Sequence, residues 1–89
     1  MKKKIKISNK LGLHARASSK LVQLTNQFQC DIKIGKAELI VDAKSILGLL
    51  SLAASYNTEI DIETIGPDEE SAINEIINLF NSKFGEEDE

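Results

Sequence analysis

The chain has 89 residues, of which 42% are hydrophobic and 28% charged, and a net charge of −3. That length supports one domain, residues 1–89, with a single thin core, and excludes two. An aromatic content of 4% leaves little surface for stacking bases, and the acidic balance argues against nucleic-acid binding.

One cysteine, Cys30, excludes an internal disulfide, and one cysteine with one histidine cannot supply a zinc site of the usual nitrogen and sulfur ligands. No run approaches the roughly 18 apolar residues of a membrane span, and no apolar stretch of signal-peptide length follows the basic opening. These features predict a cytoplasmic protein with no metal, no cofactor and no membrane insertion. Lys2, Lys3 and Lys4 at one end, and Glu86, Glu87, Asp88 and Glu89 at the other, read as solvated ends, the acidic one frayed.

Residues 4–8, "KIKIS", alternate lysine with Ile5 and Ile7, the period of a strand with one buried face. "NKLG" turns the chain. From Ala15 to about Phe28 the apolar positions Ala17, Leu21, Leu24 and Phe28 fall on one helical face, with Ser18 and Ser19 off it. "CDIKIGKAELIV" predicts a hairpin, with Cys30, Ile32 and Ile34 inward on one strand, Ala37, Leu39 and Val41 on the other, and Gly35-Lys36 as the turn.

Ser45 is a candidate N-cap for a short helix in which Ile46, Leu49, Leu50 and Ala53 share a face and Leu47 lies outside it. "EIDIETI" alternates with Ile60 and Ile62 inward. Gly66-Pro67 then breaks the strand before a last helix that carries Asp68, Glu69 and Glu70 where the dipole favours acids. Ile73, Ile76, Ile77, Phe80 and Phe84 form its buried stripe, and Gly85 stops it. The order strand, helix, strand, strand, helix, strand, helix, with every strand alternating, predicts an α+β open-faced two-layer sandwich. Its sheet is four-stranded and antiparallel, with three helices on one face.

The only histidine, His14, lies in "LGLHARASSK". A lone imidazole is commonly a helix cap or a half-buried structural group, but this one stands before the first free N–H groups of a helix, where an anion is favoured. Arg16 is a cation in a first turn whose dipole prefers an acid, and a phosphate held between Arg16 and the helix end accounts for it. The segment supplies no carboxylate to orient His14, and neither a Gly-x-Ser-x-Gly elbow nor a phosphate-binding glycine loop is present, which weakens hydrolase and nucleotide-binding readings. The element order also resembles an RNA-recognition module in outline, yet its strands carry no aromatic pair.

"NKLGLHARASSKL", with "AKSILGLLSLAA" and "IGPDEESA" at family-like spacing, closely resembles the HPr phosphocarriers of the bacterial phosphoenolpyruvate-dependent phosphotransferase system, from about Lys4 to Phe84. The resemblance implies that His14 takes a phosphoryl group on Nδ1 from enzyme I and passes it to IIA proteins or domains. Arg16 and the first-turn amides of Ala15, Arg16 and Ala17 would bind the phosphate. It implies further that Ser45, besides capping its helix, is a site for HPr kinase/phosphorylase, and that Lys20, Ile46, Leu47 and Leu50 form the docking surface. The family commonly has proline directly after the arginine, where this chain has Ala17, and a turn glycine where it has Asn57. An extra N–H in the first helical turn is a donor open to water or phosphate, and asparagine tolerates the left-handed conformation, so the function is expected to survive both changes. The ends of the chain also resemble the nitrogen-branch paralogue NPr, while Lys44-Ser45-Ile46 leans toward HPr. A different class of reading is a non-catalytic interaction module that acts only through Ser45.

Overall fold

The computed structural model describes residues 1–86. Four strands, β1 (Lys2–Lys6), β2 (Asp31–Lys36), β3 (Leu39–Asp42) and β4 (Glu59–Ile65), form one antiparallel sheet in the order β1-β4-β2-β3. Helices α1 (Ala15–Thr25), α2 (Ile46–Ser51) and α3 (Glu69–Asn81) cover one face, and a 3-10 turn, Lys83–Gly85, follows α3. This is the expected α+β sandwich.

Alternation explains which way the sheet faces. Ile32, Ile34, Ile60 and Ile62 are fully buried and meet Leu21, Leu49, Ile76 and Phe80 from the helices. The other face carries charge in register: Lys2 opposes Glu63, Lys4 opposes Asp61 and Lys6 opposes Glu59, while Glu63 also faces Lys33 of β2. Lys4 Nζ lies 3.2 Å from Asp61 Oδ1. Lys2 to Lys4, expected as a loose solvated end, are therefore an edge strand matched to the acids of β4, each opposed pair contributing roughly 0.2–1 kcal/mol.

Several boundaries move from expectation. The first strand is assigned to Lys2–Lys6 rather than 4–8, yet Ile7 still donates its N–H to Thr58 (2.9 Å) and accepts from Asn57 (2.8 Å), so the ladder runs on past the assigned end. Asn57 takes the left-handed conformation (φ 72°) in place of the glycine. Helix α1 stops at Thr25, because Gln27 and Phe28 bond three residues back, to Leu24 and Thr25. Phe28 is consequently only half-buried, and Ser18 replaces Leu24 in the fully buried stripe with Ala17, Leu21 and Thr25.

The hairpin turns at Ala37 and Glu38, not at Gly35-Lys36: Lys36 pairs with Leu39, and Gly35 lies inside β2 opposite Ile40. Ala37 and Leu39 are exposed because β3 is the sheet edge, beyond the reach of the helices. Only Leu49 of α2 is buried within the helix, with Leu52 and Ala54 behind it, whereas Ile46, Leu50 and Ala53 are exposed. Lys36 Nζ donates to the carbonyls of Leu52 and Ala53 (3.0 and 3.2 Å), capping the end of α2 from the sheet.

Asp68 is the N-cap residue of α3, and its carboxylate accepts from the amides of Gln29 (2.8 Å) and Cys30 (2.9 Å), joining the start of α3 to the entry of β2. Phe84 is buried as expected, but in the 3-10 turn rather than the helix, packed edge-on against Phe80 with ring centroids 4.9 Å apart. Of the expected frayed tail, Glu86 is half-buried and bonded, while Glu87, Asp88 and Glu89 lie outside the described residues.

The backbone amide of Gln29 is the main influence that holds the Asp68 carboxyl below its ordinary value, against a smaller opposing effect of desolvation. A carboxylate depressed in the fold stabilises it above the unfolded value, about pH 4, and that contribution is lost as pH falls through the folded value. Asp68→Asn should therefore melt at a temperature that falls less steeply between pH 5 and pH 2 than that of the parent chain. Parallel melting curves across that window would count against this role for Asp68.

Candidate functional site

The loop between β1 and α1 is built around Asn9 and Gly12. Gly12 donates to the Asn9 carbonyl (3.1 Å), and the buried Asn9 side chain donates back to the Gly12 carbonyl (2.8 Å). Gly12 has φ +67°, and a Cβ placed on it would sit 2.5 Å from the Ala54 carbonyl oxygen and 2.8 Å from Ser55 Cα. Only glycine lets the two backbones approach this closely. The next amide, that of Leu13, donates to Ala54 at 2.9 Å and seats the loop on the chain leaving α2.

His14 follows as the N-cap residue of α1 in extended conformation (φ −76°, ψ −179°), its carbonyl accepting from Ser18 N at 2.9 Å. That bond is the first of the helix, so the amides of Ala15, Arg16 and Ala17 precede any i→i−4 partner. The ring makes no capping bond, which removes the structural reading of the imidazole as a helix cap. Its side chain keeps 27% of its surface exposed. Arg16 is exposed and forms no ion pair with the described residues, whereas the Ala17 methyl is fully buried in the core. The Ser18 hydroxyl is buried and turned to the Leu13 carbonyl (3.3 Å).

The sequence reading missed the carboxylate. Glu86, 72 residues away, accepts from His14 Nε2 at 2.5 Å, and Asn9 Nδ2 reaches both of its oxygens at 3.2 and 3.3 Å. Burial pushes the Glu86 carboxyl up, but hydrogen bonds from His14 and Asn9, aided by the nearby charge of Lys20, outweigh it and hold the group below its ordinary value. An ionised carboxylate only accepts, so Nε2 is the protonated ring nitrogen facing Glu86, and in the neutral imidazole the lone pair falls on Nδ1. No local pattern could reveal this contact; the only hint was an acidic run ending a chain whose histidine lay in a loop near its start.

The remaining candidates divide into two groups. Helices α1 and α2 pack antiparallel: the Ala54 end of α2 meets the His14 loop, while Thr25 Oγ1 at the far end of α1 donates to Ala43 (2.8 Å) just before α2. Ile46, Leu47 and Leu50 are all exposed on α2, Leu47 at 80%. Ser45 caps α2, its Oγ accepting from Gly48 N at 3.1 Å, and so lies at the opposite end of α1 from His14. With a rise of about 1.5 Å per residue, the eleven residues of α1 separate them by about 16 Å. Lys20, expected at a docking surface, is exposed and donates its Nζ to the Phe84 carbonyl at 2.6 Å, which steadies the turn that delivers Glu86.

A family model described as PTS HPr component phosphorylation site matches residues 1–82. Phosphocarrier protein HPr of Neisseria meningitidis serogroup A is 46% identical over 86 residues, 97% of each chain, and that of Cupriavidus necator is 48% identical over 80 residues, 90% of each. Among solved structures, HPr-C-His from Thermoanaerobacter tengcongensis superposes with a TM-score of 0.95 at 41% identity, covering 98% of both chains.

The close approach at Gly12 gives a direct check on this construction. Gly12→Ala should cost about 1–3 kcal/mol, lowering the melting temperature by roughly 4–8 °C per kcal/mol in a domain of this size. Amide shift changes should centre on Leu13, His14 and Ala54. A variant that melts with the parent chain would remove the steric account of the loop.

Proposed function

The chain belongs to the HPr family of the phosphotransferase system, and from that premise we propose that it is a phosphoryl carrier in which His14 accepts and then gives up the group. It is a transfer component rather than a free-standing enzyme. The observation that carries the reading is the placement of the His14 ring: Nε2 is engaged by Glu86 and His14 stands as N-cap at the start of a helix, so that in the neutral imidazole Nδ1 holds the lone pair. Phosphoryl transfer needs a positioned nucleophile and donors for the equatorial oxygens, and little covalent chemistry beyond that. The amides of Ala15, Arg16 and Ala17 and the guanidinium of Arg16 are suited to be those donors.

The donor is enzyme I charged by phosphoenolpyruvate, and the acceptors are IIA proteins or domains, all in the cytoplasm. No described helix is long and apolar enough to cross a membrane. Ile46, Leu47 and Leu50 are the apolar surface on which these partners dock, running along α2 from its Ser45 end toward the end that abuts the His14 loop. Lys20, exposed and bonded to the Phe84 carbonyl, joins that docking surface and also supports the turn that carries Glu86.

Ser45 is the control point, modified by an HPr kinase/phosphorylase. Its Oγ must first release Gly48 N, after which the added charge stands beside Ile46 and Leu47. At about one α1 length from His14 it cannot touch the ring, so its effect is on docking. Ser45→Asp should accordingly lower kcat/KM for phosphorylation by enzyme I several-fold while leaving the spontaneous decay of the phosphorylated protein unchanged. An altered decay rate with unaltered phosphorylation would reverse the assignment.

The carrier reading itself is tested by incubation with enzyme I and phosphoenolpyruvate, followed by mass measurement after acid and after alkali. The expected product gains one phosphoryl group that acid removes and alkali spares, and His14→Ala gains none. Absence of label on the parent chain would overturn the proposal. Presenting the charged protein to sugar-type and nitrogen-type IIA proteins assigns the branch; the HPr relatives favour the sugar branch over an NPr-like role.

A further inference from the structure

Glu86 reaches His14 through a segment that is costly to form. Lys83, Phe84 and Gly85 take φ values of 58°, 56° and 74° in succession, and two of the three are not glycine. Left-handed backbone is sparsely populated at non-glycine residues and persists only where the surroundings impose it. Here the surroundings do so: the Phe84 ring is buried against Phe80, its carbonyl accepts from Lys20 Nζ, and the amides of Gly85 and Glu86 bond back to Ser82 and Lys83 at 3.0 Å. The reversed chain sets the Glu86 carboxylate between the buried Asn9 amide and His14 Nε2.

We propose that Glu86 is a positioning residue for phosphoryl transfer, holding the proton of His14 on Nε2 before, during and after the group resides on Nδ1. The inference rests on the carrier reading given above. In the accepting step the Nδ1 lone pair forms the new N–P bond, and the donor's bond to phosphorus breaks with its electron pair returning to the donor. The ring then carries phosphorus on one nitrogen and a proton on the other, a cation whose charge faces the Glu86 carboxylate. In the giving step the N–P pair returns to Nδ1 and neutral imidazole leaves.

Were the Nε2 proton lost in between, the leaving group would be an imidazolide anion, a far poorer one, and the phosphoryl group would be held too firmly. The carboxylate thus keeps the group transferable without a proton entering or leaving the site. Among the described residues, Arg16 lies in the first turn of the same helix and Lys20 acts on Glu86 from the Phe84 carbonyl; both are cations, whereas Glu86 is the anion in contact with the ring.

The test phosphorylates the full chain, Glu86→Gln and Glu86→Asp with enzyme I and phosphoenolpyruvate, or with phosphoramidate as a small phosphoryl donor. The rate of label loss is then followed from pH 5 to pH 9. Gln retains an acceptor of similar shape but no charge, and removing an opposite charge at hydrogen-bond distance is expected to move the midpoint of the decay profile down by about one pH unit or more. At pH 8 decay of the Gln variant should be several-fold slower than that of the parent chain, with Asp in between. Superimposable profiles for parent and Gln would overturn the role of Glu86. A parent chain that takes no label on His14 would instead overturn the carrier reading. A measurement on the unaltered protein stands apart from any folding defect: ring 15N spectra above pH 7 should place the proton on Nε2, with slowed exchange. A proton found on Nδ1 refutes the proposal outright.

Discussion

The bond from the Leu13 amide to the Ala54 carbonyl, made possible by the bare Cα of Gly12, is the contact on which the site depends. It determines where α1 begins, and hence which residue becomes its N-cap. Because the loop is pinned from outside the helix, His14 need not cap anything with its ring, and the imidazole is free for other work. The same contact brings the end of α2 to the His14 loop, so on the proposed function a partner that lies along α2 reaches toward Nδ1. Positioning and docking share one backbone junction.

The sheet supports this arrangement by keeping its polarity strictly sorted. Isoleucines face the helices, and lysine–carboxylate pairs face solvent. A one-residue slip of β1 would put Lys2, Lys4 and Lys6 toward the core and leave Ile5 opposite an acid outside, so burial and charge both select the observed register. Charged β1 is also an edge strand, and its lysines discourage pairing with another chain. Ordinary sheet physics thus frees the other layer to carry the chemistry.

Local periodicity made most of the layers legible. Ile60 and Ile62 were readable as inward because a half-buried strand imposes a period of two, and Ile73, Ile76 and Phe80 because α3 presents one face to the sheet. Gly35 misled because glycine occurs in turns and inside strands alike; here it lies inside β2 opposite Ile40, where a Cβ would make only ordinary contact, 3.4 Å from Ile40 Cγ1. The phase of Leu39 and Val41 was sound, but no periodicity says which strand lies at the edge, and edge position is what exposes Leu39. In α2, six residues are too few for a stripe to mean burial. At the site, His14 and Arg16 were legible through the oddity of a cation in a first turn, while Asn9 and Glu86 were not, since their roles exist only once loop and C-terminal turn meet.

That meeting changes the chemical character of the histidine. A carboxylate on one imidazole nitrogen is the orienting half of the arrangement by which hydrolases make a base of the other. Here the neighbouring hydroxyl, that of Ser18, is turned to the Leu13 carbonyl in the core. On the proposed function the oriented nitrogen is itself the nucleophile. A carrier also differs from a hydrolase in what it must avoid, because every 1.4 kcal/mol of extra grip on the bound phosphoryl group slows its departure about tenfold. A half-exposed ring, a solvent-facing Arg16 and three backbone amides at a helix start supply orientation with moderate grip, and a closed pocket of buried cations would not. On the proposed function the same limit accounts for a counter-charge on the nitrogen remote from phosphorus: there it favours departure of the ring as neutral imidazole, whereas against the phosphoryl oxygens it would only repel the incoming group.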